Sequence, residues 1–455
     1  MTPGGRLQAV IEALDQVRVD GRPADRVLYA YFRERRYVGG KDRRAVSDLF
    51  WAVERSRARL AADCALAEGR NPTDAAVRAE AGRRLVMAFC ARERTEGVAD
   101  LALFTGEAYA PAVVVPREQE WLKALRQVKP SQRPEWAWAE TPEWLWPRFL
   151  EIYGEAREAE VAAARAEGSV DLRVNALKAT RDEASARLQA EGVETRPMPY
   201  APLGLRCLSR ANLAATEAFK DGWVEVQDES AQLASLLVGA RPGESVVDFC
   251  AGAGGKTLAL AAAMKNSGRL IACDVRQARL DRSAIRLRRA GAFNVTRRAL
   301  ESETDKWVKR HKGTFDRVLV DAPCSGSGTW RRNPDARWRA TPEGLAELAA
   351  LQAKILDSAA RLVRPGGRLV YATCSILPEE NRARVEDFLA RHAEYRMLPV
   401  ADAWPEEAGP VPADLAAMEC LSLTPGRHGT DGFFVAAMER AAATDDTTQE
   451  RDDAP

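Results

Sequence analysis

The chain has 455 residues, about twice what one hydrophobic core usually organises, and its 46% hydrophobic and 29% charged residues exclude disorder for most of its length. Lys and Arg (67) balance Asp and Glu (66), so the net charge of +1 excludes a chain that is basic as a whole, and any surface for a polyanion has to be local. Eight cysteines, at 64, 90, 207, 250, 273, 324, 374 and 420, form no CxxC pair, and the three histidines stand apart from Cys or Glu at ligand spacing. This pattern argues against a disulfide scaffold and against a metal site, and it points to a reducing compartment. With no leader-like start and no apolar run of about 18 residues, the expected setting is the cytoplasm, with no membrane partner.

From Arg6 to about Thr105 apolar residues recur at helical intervals, as in Val27, Leu28, Tyr31 and Phe32 and again in Val46, Leu49, Phe50 and Val53. A helical domain over 1–125 is expected. Arg33, Arg35, Arg36, Lys41, Arg43, Arg44, Arg55, Arg57 and Arg59 make these helices basic, and a solvated face and an RNA contact weigh equally on the sequence alone. Residues 126–240 read as a connector followed by a small α+β module. Prolines 130, 134, 142 and 147 punctuate the connector, and Trp136, Trp138, Trp144 and Trp146 are expected to pack there. The module follows, with strand candidates DLRVNAL and GWVEVQ around a helix from Arg181 to Glu191.

Over 241–440 apolar strands alternate with amphipathic helices, the pattern of a parallel α/β sheet covered on both faces. The last stretch, 441–455, is acidic and polar and reads as a disordered tail. In SVVDFCAGAGGKT a buried strand ends at Asp248, and Gly252, Gly254 and Gly255 make a turn into a helix. A phosphate-wrapping loop ending in Gly255-Lys256-Thr257 needs a glycine where Cys250 stands, and a dinucleotide loop needs one where Thr257 stands. The Asp248 carboxylate repels pyrophosphate and suits a cationic ligand such as S-adenosylmethionine. Asp274, some 20 residues on, sits where an acid accepts bonds from ribose hydroxyls, or else caps the helix that follows.

Two further strands run into Asp321-Ala322-Pro323-Cys324 and into Thr373-Cys374, which brings both thiols to the carboxyl ends of a sheet where ligands bind. Cys250 and Cys273 read as small buried hydrophobes. A helix start after Cys324 or Cys374 is expected to lower the thiol pKa. A pyrimidine C5 carbon takes a methyl group only after a thiolate adds at C6, with Asp321 available to stabilise the adduct and a second cysteine to help release it.

DFCAGAGGKT, Asp274, DAPCSGSG, YATCSILPEEN and GTDGFFVA resemble, in order and spacing, the RNA cytosine-5 methyltransferases of the bacterial ribosomal small-subunit methyltransferase B and nucleolar Nop/Sun type, over roughly Leu172 to Met438. The resemblance implies a Rossmann-like S-adenosylmethionine methyltransferase domain with a small α+β module and an all-helical, NusB-like RNA-binding domain. It implies Cys374 as nucleophile, Cys324 as the release cysteine and Asp321 beside the cytosine. Cofactor contacts are implied at Cys250, Ala251, Gly252, Ala253, Gly254, Gly255, Lys256, Asp274 and Asp321, with Arg279 on the following helix. The chain departs from the family where Ala-Pro is usual and Gly252-Ala253 stands, and in RRALESETD, where Glu301 is the best-aligned acid for the adenine side. TWRRNPDARWR, carrying Trp330, Arg331, Arg332, Arg337 and Arg339, is expected to touch phosphates and a flipped base. The expected partner is RNA, foremost 16S ribosomal RNA, and the expected state is a monomer; a tRNA enzyme and a non-catalytic RNA-binding assembly protein are the alternatives.

Overall fold

The apolar intervals of the first hundred residues become helices Pro3–Asp20, Ala24–Glu34, Gly40–Arg55, Arg57–Ala67 and Gly82–Arg92. They are seen in a computed structural model that describes residues 1–93 and 100–442. The chain divides into two units, one of residues 1–167 and 329–344 and one of 168–328 and 345 onward. The connector 126–167 thus lies in the helical unit. Of the tail expected over 441–455, residues 443–455 fall outside the described part.

In the helical unit Val27, Leu28, Tyr31, Phe32, Val46, Leu49, Phe50 and Val53 are all buried, and Trp136 joins the same core. Burial on this scale requires every enclosed charge to find a partner. Asp63 is held by Arg92 at 2.8 Å and by Arg133 at 2.7 Å. Glu140, fully enclosed and at φ +52°, accepts the backbone N–H groups of Ala58 and Arg59 and so satisfies donors at the start of helix Arg57–Ala67. Burial pushes its carboxyl above the ordinary range.

The loop after Cys324 corrects the sequence reading, because residues 329–344 belong to this helical unit. Trp330 is 2% exposed and stacks on Phe149, with ring centres 5.6 Å apart and planes 8° from parallel. Arg337 is 1% exposed, donates to the Glu140 carbonyl at 2.6 Å and lies over the Trp330 ring. Side chains so enclosed can neither stack on a base nor neutralise a phosphate. The aromatic ring and the arginine stem gain more from burial than from water, and their partners lie almost two hundred residues earlier, beyond the reach of any local pattern.

The second unit holds two sheets. Strands β1 (Asp171–Val174), β2 (Thr195–Pro197), β3 (Gly204–Cys207) and β4 (Val224–Val226) form an antiparallel sheet in the order β2-β3-β1-β4. Its partner helix, Arg181–Ala190, starts with a capping box in which Thr180 and Glu183 exchange bonds. The larger sheet comprises β5 (Ser245–Asp248), β6 (Arg269–Asp274), β7 (Val295–Ala299), β8 (Phe315–Asp321), β9 (Val363–Thr373), β10 (Tyr395–Leu398), β11 (Leu421–Leu423) and β12 (Phe433–Arg440). Their order is β10-β12-β9-β8-β5-β6-β7, with β11 on β12; β5 to β9 run parallel and β12 antiparallel to β9.

Val246, Val247, Val318, Leu319, Val320, Leu369, Val370 and Tyr371 are buried, as expected of central strands covered by helices on both sides. The chain leaves β5 toward β6 and β7, then crosses back to β8 and β9. The order therefore reverses between β5 and β8, and a crevice forms beyond their carboxyl ends. This is the Rossmann-like fold of S-adenosylmethionine methyltransferases. No helix among the described residues is long and apolar enough to cross a membrane.

Candidate active site

At one side of the crevice the glycine turn leaves β5. Gly252 (φ +56°) and Gly254 (φ +82°) occupy the left-handed region, and a Cβ at Gly254 would lie 2.9 Å from that of Ser283. Around Gly252 the corresponding space is open. Asp274, at the end of β6, braces the turn: one carboxylate oxygen accepts the Gly252 N–H at 3.0 Å and the other accepts the Arg276 N–H at 2.7 Å. The neighbouring carbonyls are held by arginines, Ala253 by Arg286 at 2.8 Å and Gly255 by Arg173 at 2.7 Å. Helix Gly255–Ala263 then begins on Gly254 without a side-chain cap, which leaves first-turn N–H groups for a ligand.

Asp248 lies fully buried beneath this turn. Its Oδ2 accepts the Thr257 hydroxyl at 2.7 Å, while Oδ1 has no partner among the described residues. Burial pushes this carboxyl up to about 7. An unpartnered buried oxygen below an uncapped helix start fits a ligand that brings a positive charge. Burial also pushes up the thiols of Cys273, enclosed within β6 as expected, and of Cys250, which stands past the end of β5 as a half-buried residue. Arg279 stands exposed on helix Gln277–Ala290, and Glu301, exposed two residues beyond β7, gives its N–H to Asp305 at 2.9 Å.

Across the crevice, the ends of β8 and β9 bring the two predicted thiols together. The Cys324 and Cys374 sulfurs are 3.3 Å apart, although fifty residues separate them in sequence. No α-helix starts directly after either cysteine. For Cys324 the expected lowering is overturned: the hydrogen bond with Cys374, together with burial, pushes its thiol well above the ordinary value. Lys256, from the glycine turn, pairs with Asp321 at 2.6 Å, and its ammonium also faces the Phe433 ring at 5.2 Å. Burial opposes the Lys256 charge, and the adjacent Asp321 carboxylate outweighs that, holding the ammonium above its ordinary value.

Sequence reasoning missed what holds the thiols. Glu380, fully buried, accepts the Ser325 N–H at 2.8 Å, the Ser325 hydroxyl at 2.5 Å and the Gln352 amide at 3.0 Å. Gln352 also donates to the Pro323 carbonyl, while Ser327 and Ser375 share a hydroxyl contact at 3.0 Å. Asn381 accepts from Thr373 and donates to the Ser375 carbonyl, so both flanks of Cys374 are tied down. The Gly328 N–H donates to the Cys374 carbonyl at 3.0 Å, and the Gly432 N–H donates to the Gly328 carbonyl at 2.8 Å. The two acids and the asparagine of LPEEN were the available signal, but nothing local showed which loop Glu380 would meet. A separate cavity of about 670 Å³, lined by Leu233, Leu236, Arg317, Arg368 and Trp404, lies away from the thiols.

Residues 235–439 match the family model described as 16S rRNA methyltransferase RsmB/F, and residues 141–213 match the ferredoxin-like domain of RsmF/B-like methyltransferases. Over these two stretches the chain is similar to the RsmB/F methyltransferases. A probable ribosomal RNA small subunit methyltransferase B of Synechocystis sp. is 37% identical over 296 residues, 64% of this chain and 65% of that protein. The ribosomal RNA small subunit methyltransferase B of Photorhabdus laumondii is 34% identical over 271 residues, 59% of each chain. The matched stretch thus spans less than two thirds of these relatives. Among solved structures, PH0851 superposes with a TM-score of 0.76 at 29% identity, over 97% of this chain and 99% of that one. A methyltransferase homolog from Pyrococcus horikoshii gives 0.58 at 27% identity, over 69% of this chain and 100% of that one. The turn at Gly252–Gly255, braced by Asp274 and with the unpartnered Asp248 oxygen below it, fits S-adenosylmethionine, a ligand that carries positive charge.

Proposed function

We propose that the protein methylates C5 of a cytosine in RNA, with 16S ribosomal RNA as the substrate, in the cytoplasm, through a covalent adduct at Cys374. The observation that carries this reading is the meeting of two thiols at 3.3 Å beside the Lys256–Asp321 pair, across one crevice from the glycine turn. S-adenosylmethionine supplies the methyl group when bound, held by the turn from Cys250 to Lys256, by Asp274 and by Arg279, with Glu301 at its adenine side.

The Cys374 thiolate forms a bond to C6, and the C5=C6 electron pair is thereby made available at C5 for methyl uptake. The negative charge that this addition builds on the ring is met by Asp321 sharing a proton with N3, with the Lys256 ammonium beside it. Once a base has taken the C5 proton, those electrons restore the double bond, the C6–S bond breaks, and its pair returns to Cys374. Cys324, within hydrogen-bonding reach of that sulfur, assists the release. Trapping on RNA that contains 5-fluorocytosine tests this scheme. The Cys374→Ala variant is expected to lose methylation and adduct together, by at least about 1000-fold. The Cys324→Ala variant is expected to accumulate a covalent RNA complex visible on a denaturing gel. Wild-type activity in Cys374→Ala ends the reading.

A further inference from the structure

Between the end of β6 and residue 312 the chain carries twelve Lys or Arg against four Asp or Glu, although its overall charge is only +1. This segment builds one border of the large sheet. β7 is the edge strand, its last four residues are exposed, and helix Gln277–Ala290 packs beside it. The arginines of that helix fall into two groups. Arg286 and Arg289 are committed to structure, both paired with Glu225 of the small sheet. Arg276, which precedes the helix, and Arg279, Arg282 and Arg288 within it are exposed and form no ion pair among the described residues.

Charge on an edge strand has a simple use in blocking strand addition, and that accounts for Arg297 and Arg298 of β7. It does not account for unpaired arginines on the helix, whose mutual repulsion weakens the fold unless an anion compensates them. Arg276, Arg279 and Arg282 recur every third residue from the point where the chain leaves Asp274, so the row begins at the cofactor side of the crevice and leads away from it. Ile285, 73% exposed, and Phe293, 80% exposed, lie along the same border and offer apolar surface between the cations.

We infer that this border is a phosphate-binding track for the RNA strand that flanks the target nucleotide. The inference rests on the RNA reading above and adds to it where the backbone runs. An acidic protein partner needs defined carboxylate positions, whereas a row of forked guanidiniums at regular spacing fits a repeating phosphate chain.

The test is equilibrium binding of the full chain to 16S ribosomal RNA transcript, without methyl donor, over a series of salt concentrations. The double variant Arg282→Gln with Arg288→Gln is expected to bind about tenfold more weakly at low salt, with the slope of log affinity against log salt shallower by about 1.5. The Arg282→Lys, Arg288→Lys pair is expected to keep the wild-type slope, because a point charge suffices for a phosphate. Cofactor affinity, measured by calorimetry, is expected to be equal in all three and shows that the variants are folded. An unchanged slope and affinity in the glutamine pair overturns the inference, including the case in which the border captures an acidic protein. Because no turnover is read, a failure of the cytosine-5 chemistry leaves this result standing, and the reverse holds too.

Discussion

The two sides of the crevice are built by different means. On the cofactor side, a carboxylate, arginines and backbone N–H groups hold a short turn, and most of the bonds end on the main chain of residues 251–255. On the thiol side the bonds run chiefly between side chains from loops fifty residues apart, with Glu380 at their centre. A turn whose own backbone takes up most of the bonds, each from a different side chain, tolerates the loss of one of them. A pocket fixed by buried side chains fails as a unit when one of them is removed.

The thiol side gives the sharpest break. Glu380→Ala leaves the Ser325 N–H without its buried acceptor and the Gln352 amide with the Pro323 carbonyl alone. Methylation is expected to fall about 100-fold, with about 3 kcal/mol lost in urea unfolding, while cofactor affinity changes less than about twofold. An equal loss of cofactor affinity would show that the two sides are one unit. Gly254→Ala attacks the other side through φ +82° and the 2.9 Å approach to Ser283. Cofactor affinity is expected to drop about tenfold by calorimetry, with 5-fluorocytosine adduct formation at saturating cofactor close to wild type.

The smallest effect concerns Asp248. Its carboxyl titrates at about 7 in the fold against 3.8 as the ordinary value. Between these values the native chain keeps a proton that the unfolded chain releases, so stability falls as pH rises through the window. Asp248→Asn removes that dependence. Its melting temperature is expected to match wild type near pH 4 and to exceed it by about 3 °C at pH 8.5, read by thermal unfolding without cofactor. A difference that does not change with pH would remove the buried charge from the argument.

The same contrast explains what could be read from residues alone. The glycine turn, Asp248, Asp274 and the strand leading into each cysteine are contiguous patterns, and β5, β6, β8 and the helices around Phe32 and Phe50 follow directly from apolar spacing. That Cys324 and Cys374 meet follows from two neighbouring parallel strands, which alternation of strands and helices already implies. The role of Glu380 and the burial of Trp330 and Arg337 were not legible, since each depends on a partner fixed only by tertiary packing. The basic border was hidden by a whole-chain charge near zero.

Gly432 comes so near Gly328 that a Cβ on the latter would stand 1.9 Å from a carbonyl oxygen, and it reaches that place on the loop leading into β12, a strand inserted between β9 and β10. Among the described strands, translation delivers β12 last. Until it emerges from the ribosome, β9 has a bare edge and the Gly328 carbonyl lacks the Gly432 N–H. A nascent chain therefore carries Cys374 at the end of a strand with one open edge, and assembly of the pocket waits for the sheet to close.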